Sequence, residues 1–343
     1  MEEKQISYIS LLQVVSCCAV VFLHSNGCFW QFSTGRYWFT ANIIESVFYF
    51  AVPVFFMITG ITLINYPERY TLAEYLKRRA KKTLLPFIAW SLIGLLYLAA
   101  WEKVSLSELT ILDVIRKMMD TSIISIYWFF PPLFCIYLSI PLFAAVPKTI
   151  RIKVFSYLFV AGLTFNCLVP FVNEILHLNL PVKISVIPAN DYLLYVIVGV
   201  LLHEKPPGKK ERIVIYLLGT LGLIAHITGT YILSMKAGTI VKTYKGYQNL
   251  PCFLYSVAIL TFGMNNNRLI MQGYLGTLIN LIKGYTFPIY LMHWYLLDLM
   301  KTMFHISSTS ILYRLGAPFV VVPTCIFLTW IFRKVPLVKH IVP

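Results

Sequence analysis

Charge is what this sequence has least of. Only 13% of its 343 residues are charged, and the acidic share is smaller again, with 14 Asp and Glu against 29 Lys and Arg. Soluble domains carry roughly 25% charged residues. The scarcity comes with 58% hydrophobic residues and a mean hydropathy of +0.74. Together they exclude a soluble globular domain, which has no interior large enough for so much apolar surface. The familiar site motifs are missing as well: no G-x-S-x-G, no Walker-type phosphate loop, no H-E-x-x-H and no G-x-G-x-x-G. The seven cysteines have no zinc-like spacing with histidine, so no metal is expected. Cys17, Cys18, Cys135, Cys167 and Cys325 lie inside apolar runs, where Cys acts as a small hydrophobe. Cys28 and Cys252 fall near run ends, and a disulfide between them is left open. No internal repeat is visible, which weighs against secondary transporters built from repeated halves. No nucleic-acid module accompanies the net charge of +15, so no nucleic-acid partner is expected.

What the chain does have is apolar runs. Ten are long enough, or nearly so, for a hydrocarbon core that needs about 20 helical residues. They cover 7–27, 42–65, 83–101, 126–146, 152–174, 190–204, 213–233, 250–265, 284–300 and 311–332, the sixth and eighth being short. The expected fold is all-α: a polytopic membrane protein of about ten transmembrane helices, one domain over residues 1–343. The opening "MEEKQISYIS" runs into a long apolar segment with no small-residue cleavage site, so it reads as a retained first helix. With the N-terminus in the cytoplasm, the inner segments hold 19 of the 29 Lys and Arg. That bias places both termini inside.

The bias is strongest in "ERYTLAEYLKRRAKKTLLPFIAW". Thr71 and Glu74 have capping-box spacing, so a helix should start there. Leu72, Tyr75, Leu76, Arg79 and Ala80 share one face, and Lys77, Arg78, Lys81 and Lys82 lie mostly on the other. This suits a short amphipathic helix on the inner membrane surface, with Pro86 where it turns into the bilayer. Lipid anchoring and a phosphate site are both open for it.

Ionisable groups within spans are costly, by roughly 2.5–3.5 kcal/mol for a central Arg, Lys or Asp on insertion scales, and default to functional candidates. Here they are His24, Glu45, His226, His293 and Asp298. Gln13, Cys17 and His24 form one polar stripe, because eleven residues come to about three turns. Such a stripe should face a cavity or another helix. Glu45 should lie at nearly the depth of His24, where a carboxylate would fix the imidazole tautomer. An interfacial His bonded to water, and a merely solvated Glu45, are the plain alternatives. His293 follows Pro288 by five residues, so a polar pocket and a packing kink are equally open. His226 has no polar companions and reads as structural.

In order, the pieces "LLQVVSCCAVVFLH", "FAVPVFFMITGITL", "YLKRRAKKTLLPFIAW", "YWFFPPLFCIYLSIPLF", "YLLYVIVGVLL" and "YTFPIYLMHWYLL" resemble acyltransferase family 3. These are integral-membrane acyltransferases that modify bacterial cell-surface carbohydrates. The resemblance spans nearly the whole chain. It implies a multi-pass protein of the bacterial cytoplasmic membrane that takes an acyl group, usually acetyl, from acyl-CoA on the cytoplasmic side. The acceptor would be a hydroxyl of an envelope or extracellular polysaccharide or its lipid-linked precursor. His24 matches the family's key catalytic residue, and Glu45 is its candidate partner. Arg78, Arg79 and Lys82, with Gln13, are the candidate contacts for the coenzyme. His293, Trp128 and Tyr290 are candidate substrate contacts. One departure stands out: the family commonly has Arg eleven residues before the His, and this chain has Gln13. Arg151 and Lys153 are candidates for the missing charge. The outer segments 102–125, 175–189 and 234–249 are the expected acceptor contacts, with Trp101, Tyr244 and Tyr247 able to stack on sugar faces. Three alternatives are carried: a transporter or flippase of a lipid-linked sugar, a membrane acyltransferase in which His293 is the lone catalyst, and a family member with a decayed site. Acceptor identity, acyl type and oligomeric state are left open.

Overall fold

The computed structural model describes residues 2–343, with side chains from Tyr8 onward. Among the described residues there is no strand. The helices are α1 (Glu2–Ser25), α2 (Arg36–Phe48), α3 (Ala51–Leu63), α4 (Leu72–Arg79), α5 (Leu85–Ala100), α6 (Ile111–Met119), α7 (Phe130–Ala144) and α8 (Lys148–Gly162). Then follow α9 (Val169–Ile175), α10 (Leu193–Glu204), α11 (Lys209–Ala237), α12 (Leu250–Ile270), α13 (Gly273–Ile282), α14 (Thr286–Phe304) and α15 (Ile311–Phe332).

Among the described residues, seven helical stretches are long and apolar enough to cross a membrane. They are Tyr8–Ser25, Arg36–Glu68, Leu72–Ala100, Ser125–Ala144, Lys148–Ile175, Lys209–Ala237 and Ile311–Phe332. This supports a polytopic membrane protein but not the expected count of ten. The other three runs do form helices. However, α10 has only 12 residues, α12 ends in Asn265, Asn266, Asn267 and Arg268, and α14 carries His293, Asp298 and Lys301. All three are rich in buried side chains. Hydropathy cannot separate a residue facing lipid from one facing protein, so an apolar run alone does not fix how many helices cross.

The core forms two clusters with α1 between them. Leu12, Val20 and Leu23 join the cluster built on α3, α10 and α12. Leu11, Val14 and Val21 join the one built on α5, α14 and α15. α1 is thus buried nearly all round, which is why its apolar residues show no helical stripe. Close approach of α3 and α10 needs glycine on both: a Cβ on Gly60 would sit 2.8 Å from the Val196 carbonyl oxygen, and one on Gly199 would sit 2.6 Å from that of Met57. Small residues serve membrane helices in this way because lipid supplies no hydrophobic drive for them to associate.

α4 starts where its capping box says. Thr71 Oγ1 accepts from the Glu74 backbone N–H, and the Thr71 N–H donates to Glu74 Oε2 at 2.9 Å. The surprise lies at its end. Residues Ala80–Leu84 form one turn of π-helix before α5, with Pro86 in the first turn of α5. Such bulges add a residue to the turn and re-aim every side chain after it. All seven cysteines are free, so the Cys28–Cys252 disulfide is absent.

Candidate functional site

His24 occupies the last turn of α1, and the chain around it is fastened on two sides. Ser25 Oγ donates to the Arg314 carbonyl at 2.8 Å, and Asn26 Nδ2 donates to that of Ala41. His24 Nδ1 lies 2.6 Å from His293 Nε2 on α14. His293 is fully buried, and its Nδ1 lies 3.0 Å from the Ile289 carbonyl oxygen. The imidazole partner of His24 is therefore another imidazole. Glu45 faces elsewhere: Asn26 Nδ2 donates to it at 3.4 Å, and Lys245 Nζ lies 3.7 Å from its other oxygen. The sequence expectation that Glu45 would orient His24 is corrected by these contacts. Depth along a helix is readable from residue count; which neighbour stands at that depth is not.

Two cavities meet at His24. One, about 490 Å³, runs back along α1 to Gln13 and is bordered by Thr59, Arg79, Lys82, Lys283 and Tyr290. The other, about 590 Å³, runs forward past Ser25 to Trp30 and Gln31, and is bordered by Glu45, Tyr49, Trp294, Lys301 and Tyr313. We call them the basic and the aromatic cavity. Leu23, His24, Ile126, Trp128 and Tyr247 border both. His24 is the one titratable group of the polar stripe that reaches both. Cys17 instead donates to the Thr286 carbonyl at 3.3 Å.

Trp128 is placed by α14. Tyr290 Oη donates to the Ile126 carbonyl, and Tyr127 Oη to that of Leu291 at 2.9 Å. The Trp128 ring stacks on Tyr247, with centroids 5.3 Å apart, and Tyr247 lies flat against Tyr49 at 4.1 Å. Of the three aromatics expected at the acceptor side, only Tyr247 borders the cavity. Tyr244 packs on Gly229, where a Cβ would come within 2.4 Å of its ring, and Trp101 rests near Tyr97. Segment 102–125 reaches the cavity at Ser125; segment 175–189 does not border it.

The basic run divides between Arg78 and Arg79, the last two residues of α4. Arg79 and Lys82 face the basic cavity, as does Gln13. Arg78 turns away, onto the Tyr70 ring at 4.1 Å, and borders a third cavity of about 350 Å³ with Arg69, Tyr75 and Arg79. Arg79 borders both, and its Nε is buried with no hydrogen-bond partner. Arg151 cannot supply the charge missing at Gln13: it is buried against Glu204 at 2.9 Å and Asn65 at 2.8 Å. Lys153 is exposed and does not border the cavity. Lys283 does border it, as Gln13 does, and the sequence had not singled it out.

A model described as an acyltransferase domain, that of acyltransferase family 3, matches residues 6–333. The chain belongs to this acyltransferase family. No curated protein and no solved structure matches it. In this acyltransferase the family region takes in α1, the basic run, the Trp128 segment and α14, which are the parts that enclose the two cavities.

Sequence reading missed Lys245 altogether. Its side chain is fully buried, with Nζ 3.9 Å from the Tyr49 ring centre and 4.5 Å from that of Phe29. Burial pulls this amine down to about 8, with the Glu45 carboxylate opposing the shift. Nothing in "TYKGYQ" separates such a lysine from a solvated loop residue. His226 is buried against Tyr49 at 5.1 Å with neither ring nitrogen hydrogen-bonded, and it borders neither cavity. Asp298 is tied to Lys103 at 3.0 Å and to Tyr97 Oη at 2.8 Å. Among the described residues no group of three His, Cys, Asp or Glu is arranged to hold a metal.

Proposed function

We propose that this acyltransferase moves an acyl group, most simply acetyl, from cytosolic acyl-CoA to a hydroxyl of a cell-envelope or extracellular polysaccharide or its lipid-linked precursor. One observation carries the reading: His24 stands where a basic cavity and an aromatic cavity meet. The basic cavity suits the donor. Arg79, Lys82 and Lys283 have no carboxylate partner among the described residues, and the buried Nε of Arg79 is a donor without an acceptor. Phosphate oxygens would satisfy them by charge-assisted hydrogen bonds. From Gln13 to His24 the α1 axis covers about 16 Å, a reach that suits an extended thioester arm. The aromatic cavity suits the acceptor, because indole and phenol rings bind the apolar faces of sugars while their edges leave hydroxyls free.

The chemistry needs one base. As the acceptor oxygen attacks the thioester carbon, neutral His24 takes its proton. The tetrahedral intermediate then collapses, the C–S bond breaks, and the imidazolium returns the proton to the departing thiolate. Atoms and protons balance with no further reagent. In this reading the basic cavity lies on the cytoplasmic side of the bacterial inner membrane, because Arg79 and Lys82 belong to the run where Lys and Arg are densest. The same reading keeps both termini on that side.

The deciding experiment is coenzyme A release from acetyl-CoA by protein in nanodiscs, with crude envelope glycan as acceptor. Glycan-dependent release by the wild type that is lost in His24→Ala is the expected result. Equal release by the two would remove His24 from the chemistry. Acyl-donor-independent movement of a lipid-linked sugar would favour the flippase reading.

A further inference from the structure

We propose that His293 is a positioning residue that selects which nitrogen of His24 reacts. The inference rests on the acyl-transfer reading above and adds a directed hydrogen-bond chain to it. A backbone carbonyl can only accept, so the Ile289 oxygen 3.0 Å from His293 Nδ1 puts a proton on that nitrogen. A neutral imidazole has one N–H, which leaves His293 Nε2 as a bare acceptor. His24 Nδ1 stands 2.6 Å away, and two nitrogens that close need one proton between them. That proton sits on His24 Nδ1. The ring planes differ by 21° and the centroids are 4.9 Å apart, close to the N···N distance plus one ring radius at each end. The two rings are therefore nearly coplanar and meet edge to edge, which is good geometry for a linear N–H···N bond.

The consequence is chemical. An isolated neutral histidine prefers its proton on Nε2. His293 reverses that preference, so the lone pair of His24 Nε2 is free toward the two cavities that share this side chain. The chain beyond ends in a carbonyl, which cannot take a proton onward. A proton collected from the acceptor hydroxyl must then leave from the same Nε2, to the thiolate. His293 thus holds the reactive form in place and relays nothing. Its rigidity has a source as well: both Tyr290 and the Leu291 carbonyl, on the same turn of α14, are hydrogen-bonded to the Trp128 segment.

The test has a spectroscopic arm and a kinetic arm. In ¹⁵N-histidine-labelled protein in nanodiscs, the His24 signals are those lost in His24→Ala. They should show a protonated Nδ1 and a bare Nε2, and His293→Leu should move the proton toward Nε2. In the transferase assay His293→Leu should lower kcat by about 10²- to 10⁴-fold, as for a base held in the wrong tautomer, with donor KM within about twofold. His293→Gln keeps an acceptor oxygen near the Nε2 position and should recover the rate to within about tenfold of wild type. Wild-type His24 protonated on Nε2 would overturn the proposal, as would a Leu variant with unchanged tautomer and rate. So would a Gln variant that keeps the tautomer yet is as slow as Leu. If the wild type transfers no acyl group to any glycan, the acyl-transfer reading fails, while the ¹⁵N arm still decides the tautomer. Coenzyme A binding by each variant separates loss of chemistry from loss of fold.

Discussion

The two cavities that share His24 treat charge in opposite ways. Around the basic cavity, Arg79, Lys82 and Lys283 stand without carboxylate partners among the described residues. Around the aromatic cavity each charge is answered within the protein: Glu45 by Lys245, Lys301 by Asp298. A cavity that leaves cations unanswered is built for an anion, since the ligand must supply the missing charge. One that neutralises its own charges and faces the ligand with rings is built for something polar and uncharged. That difference supports the proposed assignment of a phosphate-bearing donor to the first cavity and a hydroxyl-bearing acceptor to the second.

The largest effect should come from breaking both cavities at their junction. His24→Ala should lower kcat by about 10²- to 10⁴-fold, the range for a lost general base, while coenzyme A binding persists. Next is the neutrality of the aromatic cavity. Lys245→Met leaves Glu45 buried without its cation and should destabilise the fold by about 3–5 kcal/mol, read as a lowered unfolding midpoint in detergent. The Glu45→Gln/Lys245→Met double variant removes both charges and should recover most of that loss. The contrast in charge is tested by Arg79→Gln with Lys82→Gln. Donor KM should rise about 10- to 100-fold, from hydrogen bonds to charged groups worth about 1.5–3 kcal/mol, while acceptor KM holds. The same pair in reverse is Trp30→Ala, a ring that borders the aromatic cavity and not the basic one: acceptor KM should rise about two- to tenfold, from stacking worth about 0.5–1.5 kcal/mol, while donor KM holds. The smallest expected effect is the sharpest on geometry. Arg78→Gln should leave the chemistry at His24 and its pH profile unchanged, because Arg78 points onto Tyr70 and into the third cavity.

The parts of the site that were legible were those with a local signature. His24 stands out because an imidazole at the end of an apolar run has few plain explanations. The α4 start at Thr71 follows from two side chains three residues apart, and both of its hydrogen bonds are formed. The run "KRRAKK" was legible as positive but not as divided. The division falls between Arg78 and Arg79, neighbours on α4, and is set by which cavity each side chain meets, not by the composition of the run. Lys283 and Lys245 were invisible for a similar reason. Each sits in a short polar stretch, and only the fold decides which such stretch is drawn into a cavity.

The sequence by itself determined the class of molecule and the residues that cannot be ordinary. Apolar runs force helices, because a backbone without water must bond within its own segment. An imidazole placed among such runs calls for a partner. Only the tertiary structure decided who that partner is. Glu45 was the partner expected by chemistry and by depth. The choice went to His293 because α14 lies against α1, while Glu45 on α2 meets Lys245 from the segment between α11 and α12. Such pairings join residues up to 269 positions apart, and they depend on which helix faces which, a property of packing shape that no local run of residues encodes.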